Sequence, residues 1–173
     1  AVAAYLGHRA KRRQRHFTEV VMEGLIENWI GRVADAASAG RSLAIRGGGS
    51  KAFYACPEQG EVLEVSGHRG IVAYEPTELV VTARAGTPLR ELAAALAEKG
   101  QWLPFEPPHF GASATVGGMF AAGLSGPRRQ AVGALRDYVL GVKVLNGSGE
   151  VLSFGGQVMK NVAGYDVARL FAG

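Results

Sequence analysis

The sequence predicts an α+β fold, and three observations carry that prediction. Apolar residues recur at three- and four-residue spacing over residues 22–39, which marks one face of a helix. Short apolar runs stopped by Gly or Pro follow, and these read as strands. Helices and strands are then mixed without regular alternation, which argues against a doubly wound parallel sheet.

The elements follow in order. Leu25, Ile26, Trp29, Ile30, Val33 and Ala37 line the first helix, and Gly40 fits a left-handed cap after it. Ser42–Arg46 reads as a strand running into Gly47-Gly48-Gly49. Glu61–Val65 and Gly70–Tyr74 read as two more strands, the second stopped by Pro76. Leu79–Ala85 is a β-branched strand. Thr87 is the expected N-cap of the next helix and Pro88 its first residue. Leu89, Leu92, Ala93 and Leu96 form that helix's inner face, Gly100 ends it, and a short strand reaches Leu103. Pro104, Pro107 and Pro108 impose an extended loop, and a short helix is expected to begin near Val116. Val139–Leu145 and Glu150–Phe154 form a hairpin across Asn146-Gly147-Ser148-Gly149, a strong turn signal. Val158–Phe171 reads as a loop leading into a helical turn.

The length of 173 residues suits one domain. A single cysteine, Cys56, excludes an internal disulfide and a cysteine-based zinc site. No apolar run approaches the roughly 18 residues that a membrane span requires. The net charge of +4 comes from the N-terminus, where Arg9, Lys11, Arg12, Arg13 and Arg15 face Glu19 alone. The rest of the chain balances acid against base, so no nucleic-acid face is expected. Residues 1–21 are expected as a disordered basic extension and residues 22–173 as the folded domain.

Glycine is the outlier, with 25 residues, and clusters occur at Gly47–Gly49, Gly117–Gly126 and Gly147–Gly156. Three glycines after a strand let successive N–H groups converge on an anion. Ser50 adds a hydroxyl, and Arg46 or Lys51 could add charge. The same residues also fit a simple flexible turn. In the second cluster, Thr115, Gly117 and Gly118 sit where a helix would start, and its free N–H groups attract phosphate. Tight packing of helix on sheet explains that cluster equally well. Two such loops in one domain favour a diphosphate ligand over either loop alone. The spacing is not that of a P-loop, and the Gly-x-Gly-x-x-Gly dinucleotide fingerprint is absent. No spacing identifies a nucleophile, a metal site or a catalytic base, and none is assigned.

A set of segments in order carries a family resemblance. They are Ile45–Lys51, His68–Val72, Pro76–Leu89, Glu106–Gly111, Ala114–Arg128, Arg136–Gly141 and Met159–Gly173. Together these resemble the PCMH-type (vanillyl-alcohol-oxidase-type) FAD-binding domain, and more closely the FAD-binding E-subunit family of bacterial glycolate oxidase. The resemblance implies two small α+β subdomains, here truncated at the C-terminus. It also implies FAD, with its pyrophosphate between Gly47, Gly48, Gly49 and Ser50 on one side and Thr115, Gly117 and Gly118 on the other. Gly133 and Asp137 would approach the flavin ring, and Asn161, Gly164, Tyr165 and Asp166 would line the same cleft. Ser50 stands where some members of the family tether the flavin through His, so the FAD is expected to be non-covalent.

In function, the resemblance implies an FAD-dependent oxidoreductase subunit acting on a small 2-hydroxy acid such as glycolate. The alternative is a non-catalytic assembly subunit of the same complex, with structural FAD or none. Expected partners are a second flavin-binding subunit and an iron–sulfur subunit, with no nucleic acid. The expected location is cytoplasmic, or peripheral to the inner membrane through the complex.

Overall fold

The computed structural model describes residues 2–54, 59–156 and 166–173, with side chains from residue 19 onward. The long helix α1 (Val2–Ser38) comes first. It begins about twenty residues before the apolar periodicity does, and its backbone runs through the segment expected to be a disordered extension. Ala, Arg, Lys and Gln make up much of that stretch, and all are good helix formers. Trp29 and Ala36 are the buried positions of the apolar face, whereas Ala37 is exposed. The helix ends as expected. Gly40 takes φ +63°, and the Arg41 N–H donates to the Ala36 carbonyl at 2.9 Å.

Strands β1 (Leu43–Arg46) and β2 (Glu61–Glu64) pair in parallel, Leu43 opposite Glu61 and Arg46 opposite Glu64. Glu61 clasps α1 onto this pair. Its carboxylate accepts from Arg32 at 2.5 Å and from Arg41 at 2.8 Å, and Arg32 also donates to the Val62 carbonyl. Strands β3 (Ile71–Glu75) and β4 (Val80–Ala83) are antiparallel. Leu79, in the turn between them, is held at φ +56°.

Helix α2 (Leu89–Ala97) follows. Its N-cap is Pro88 and its first helical residue Leu89, one position later than expected, and no side chain caps it. Thr87 is fully buried and serves elsewhere. Its hydroxyl donates to the Arg84 carbonyl at 2.6 Å and accepts from the Gly70 N–H at 2.9 Å. It locks the two ends of the β3–β4 ribbon instead of capping a helix. No strand forms at Leu103 among the described residues; that segment turns directly into the proline loop.

Helix α3 (Val116–Ala122) starts where the sequence placed it, and Gly123 caps it at φ +59°. The short helix α4 (Arg129–Val132) and a 3₁₀ turn (Leu135–Tyr138) lead into the hairpin β5 (Gly141–Leu145) and β6 (Val151–Gly155). The hairpin turn matches its signature. Asn146 Oδ1 accepts from the N–H groups of Ser148 and Glu150, and Gly149 takes φ +79°. The last described element is α5 (Val167–Leu170). The result is the expected α+β arrangement.

One core organises the molecule. Leu89, Leu92 and Leu96 of α2 pack with Phe105, Ala114, Met119 and Leu135. Ala93, expected on the same face, is only half-buried, because the stripe of α2 is narrow. The core joins α2, the proline loop, α3 and the 3₁₀ turn, and so it fixes the base of the second glycine segment. A separate cleft of about 440 Å³ lies between α1, β1–β2 and the β5–β6 hairpin, walled by Trp29, Val33, Leu63 and Val144. Neither glycine loop lines it. Among the described residues no helix is long and apolar enough to cross a membrane, and no His/Cys/Asp/Glu group could hold a metal.

Candidate functional site

Strand β1 ends at Arg46 and delivers the first glycine loop. The loop lies directly against the second glycine segment. A Cβ on Gly48 would stand 1.5 Å from the Ser113 carbonyl oxygen, and one on Gly47 would stand 3.1 Å from Thr115 Oγ1. Gly48 is therefore glycine because another backbone occupies its side-chain space. Gly49 differs: its φ is +64° and the space beyond it is open. Its constraint is conformational.

The two segments differ in what their N–H groups do. Among the described residues, the N–H groups of Gly47, Gly48, Gly49 and Ser50 donate to no carbonyl or side chain. The N-terminus of α3 is the opposite case. The Val116 N–H donates to the Thr87 carbonyl at 2.9 Å and the Gly117 N–H to the Ala85 carbonyl at 2.7 Å. The Gly118 N–H donates to Thr115 Oγ1 at 3.1 Å, and the Met119 N–H to the Thr115 carbonyl at 2.8 Å. The expectation that Gly117 and Gly118 present free donors is thus corrected. The helix start is fully satisfied inside the protein, because strand β4 and the residues after it run alongside. Gly117 is small for packing: a Cβ there would meet the Ala85 Cβ at 2.8 Å. Thr115 is buried and acts as the α3 N-cap.

Beside the first loop lies a structure that glycine spacing did not reveal. Phe110, in the proline loop, is held at φ +48° and meets Phe53 edge-on at 5.2 Å. The Lys51 ammonium sits over the Phe110 ring, 5.9 Å from its centroid. Its Nζ is buried and makes no hydrogen bond among the described residues. Burial pushes its pKa down from the usual lysine value. Arg46, the other candidate cation, has an interaction of its own.

The remaining expected residues are distributed as follows. Gly133 takes φ +93°, and a Cβ there would stand 2.9 Å from Asp137 Oδ2. Asp137 closes its own turn by accepting from the Ala134 N–H at 2.8 Å. Ser125 Oγ accepts from the Leu135 N–H, so this turn is tied to the end of the second glycine segment. Asp166 caps α5 by accepting from the Arg169 N–H. Asn161, Gly164 and Tyr165 lie outside the described residues. The structure thus brings Gly47–Ser50 and Ser113–Gly118 into contact. Gly133 and Asp137 form a separate turn, and Asp166 is engaged locally.

Residues 26–155 match the family model described as FAD binding domain. The chain belongs to that family. Among curated relatives of this FAD-binding domain, glycolate oxidase subunit GlcE of Escherichia coli (strain K12) is 56% identical over 142 residues, covering 82% of this chain and 41% of the relative. Glycolate oxidase subunit GlcD of Bacillus subtilis (strain 168) is 33% identical, covering 68% of this chain and 25% of the relative. D-lactate dehydrogenase of Archaeoglobus fulgidus is 39% identical over 54% of this chain and 21% of its own length. The chain therefore spans less than half the length of these relatives. Among solved structures, the glucose dehydrogenase Phl p 4.0202 superposes with a TM-score of 0.61 at 20% identity, covering 74% of this chain and 27% of that one. Xylooligosaccharide oxidase from Myceliophthora thermophila C1 gives 0.61 at 21% identity, covering 75% and 28%. At that identity the likeness is one of fold.

Proposed function

We propose that this FAD-binding domain belongs to a subunit of a glycolate (2-hydroxy acid) oxidase complex and holds its FAD non-covalently at Gly47–Ser50. The observation that carries the reading is the row of four N–H groups without acceptors among the described residues, beside a helix start that has none to spare. Gly47, Gly48, Gly49 and Ser50 would donate to the diphosphate. Thr115, Gly117 and Gly118 would form the close-packed wall behind that loop, holding it in place without donating. Gly133 and Asp137 would lie on the flavin side, with Asn161, Gly164, Tyr165 and Asp166 completing the cleft. The FAD, once bound, supplies the hydride acceptor for oxidation of the 2-hydroxy acid. This chain's own part is to bind and orient it. Ser50 in the first loop offers no nucleophile able to tether the flavin as a His would, which supports non-covalent binding. The similarity to GlcE and GlcD, each named as a glycolate oxidase subunit, supports a multi-subunit complex; its other proposed members are a second flavin-binding subunit and an iron–sulfur subunit.

The test is spectroscopic. The purified full-length subunit is expected to show flavin absorbance, or to gain it on addition of FAD, and acid precipitation is expected to release the flavin into the supernatant. Absence of flavin bands under both conditions would sink the cofactor reading, and flavin retained in the precipitate would sink the non-covalent one. Anaerobic glycolate is expected to bleach the flavin in the assembled complex; a flavin that stays oxidised there contradicts a role in substrate oxidation.

A further inference from the structure

Among the described residues Lys51 makes no ion pair. Its Nζ is buried and makes no hydrogen bond among the described residues. The face of Phe110 lies 5.9 Å from it, measured to the ring centroid. An ammonium there loses part of its hydration, and among the described residues no hydrogen bond makes up for it. A cation–π contact at the limit of its range offsets a small part of that cost. The same residue directly follows four N–H groups that also lack acceptors among the described residues. Among the described residues five consecutive donors, one of them charged, therefore lack an acceptor, and an anion bound at this loop would draw on both backbone and side-chain donors. The local backbone holds this arrangement open. Gly48 is pinned against the Ser113 carbonyl, and Phe110 is fixed in a left-handed conformation against Phe53. Arg46, by contrast, already has an interaction of its own.

We propose that Lys51 is the charge partner of the ligand's diphosphate and makes this site select anionic dinucleotide or ADP-like ligands over uncharged flavin. This rests on the reading of Gly47–Ser50 as the FAD diphosphate site. In the ligand-free protein the ammonium is a destabilising feature; in the bound state it forms a charge-assisted hydrogen bond to a phosphate oxygen.

The experiment uses the full-length protein, wild type, Lys51→Met and Lys51→Arg. Calorimetric titration with FAD, ADP and riboflavin reads the affinities, and thermal melting without ligand reads stability. Lys51→Met is expected to weaken FAD and ADP by about tenfold or more, the effect of losing a charged hydrogen bond. Riboflavin binding is expected to stay unchanged, and Lys51→Arg to recover most of the lost affinity. Without ligand, Lys51→Met is expected to melt at or above the wild-type temperature, since a buried unpaired charge has gone. A lysine with a purely structural role would instead lower the melting temperature and leave the ADP-to-riboflavin preference unmoved, and that result overturns the proposal. If wild type and Lys51→Met bind FAD and ADP equally well, Lys51 is not the charge partner while the cofactor reading stands. If wild type binds neither FAD nor ADP, the cofactor reading and this inference fall together.

Discussion

Three glycines in a row hide three different physical constraints. Gly48 lacks a side chain because the Ser113 carbonyl fills its place, and Gly49 because its φ is +64°. Gly47 is an intermediate case, tight against the Thr115 hydroxyl. The difference predicts different tolerances. Gly48→Ala is expected to destabilise by about 1–3 kcal/mol through overpacking against backbone. Gly49→Asn is expected to cost less than about 1 kcal/mol, since Asn enters the left-handed region readily and meets open space. Urea midpoints of the two variants measure this. A smaller loss at position 48 than at 49 would mean that the two loops do not touch. Sequence alone marks all three positions as special. It cannot separate them, because the separating atoms belong to residues more than sixty positions away.

At the scale of elements, the clasp between α1 and the β1–β2 pair carries a pH signature. Hydrogen bonding and charge from Arg32, then from Arg41, hold the Glu61 carboxyl below its ordinary value of 4.5. A carboxylate whose folded pKa is depressed stabilises the protein above its unfolded pKa, and that contribution disappears as pH falls through the folded value. Glu61→Gln is therefore expected to lower the melting temperature at pH 7, and the gap from wild type is expected to close as the pH is taken below 4.5. Melting curves at a series of pH values check it; a gap that persists in acid would place the effect in packing and not in charge. The Glu61 clasp was not legible in the sequence, because Arg32, Arg41 and Glu61 are brought together only by the parallel pairing. The hairpin turn at Asn146–Gly149 was legible in full. Its hydrogen bonds are local, between residues no more than four apart.

Across the whole molecule, the core around Leu89 sets the positions of the proline loop, α3 and the 3₁₀ turn together. Leu89 is completely buried, whereas Leu79, ten residues earlier, is 77% exposed. Leu89→Ala is expected to cost about 2–5 kcal/mol. Because the Leu89 N–H also donates to the Ala114 carbonyl beside the second glycine segment, weakened ligand binding is expected to accompany the loss of stability. Chemical denaturation and a ligand titration on the same variant check both. Unchanged stability would show that the core does not hold the site.

By itself, the sequence determined the α+β class, the cap at Gly40, the hairpin and the two glycine segments. Those features rest on contacts between near neighbours, or on conformations that few residue types can adopt. It also carried the family resemblance that the match over residues 26–155 bears out. The tertiary structure decided what the glycine loops have available. It spent the N–H groups of Gly117 and Gly118 on neighbouring residues, and among the described residues it left those of Gly47–Ser50 without acceptors and the Lys51 Nζ without a hydrogen bond. A donor's availability depends on which distant acceptor the fold brings near it, and no local pattern encodes that.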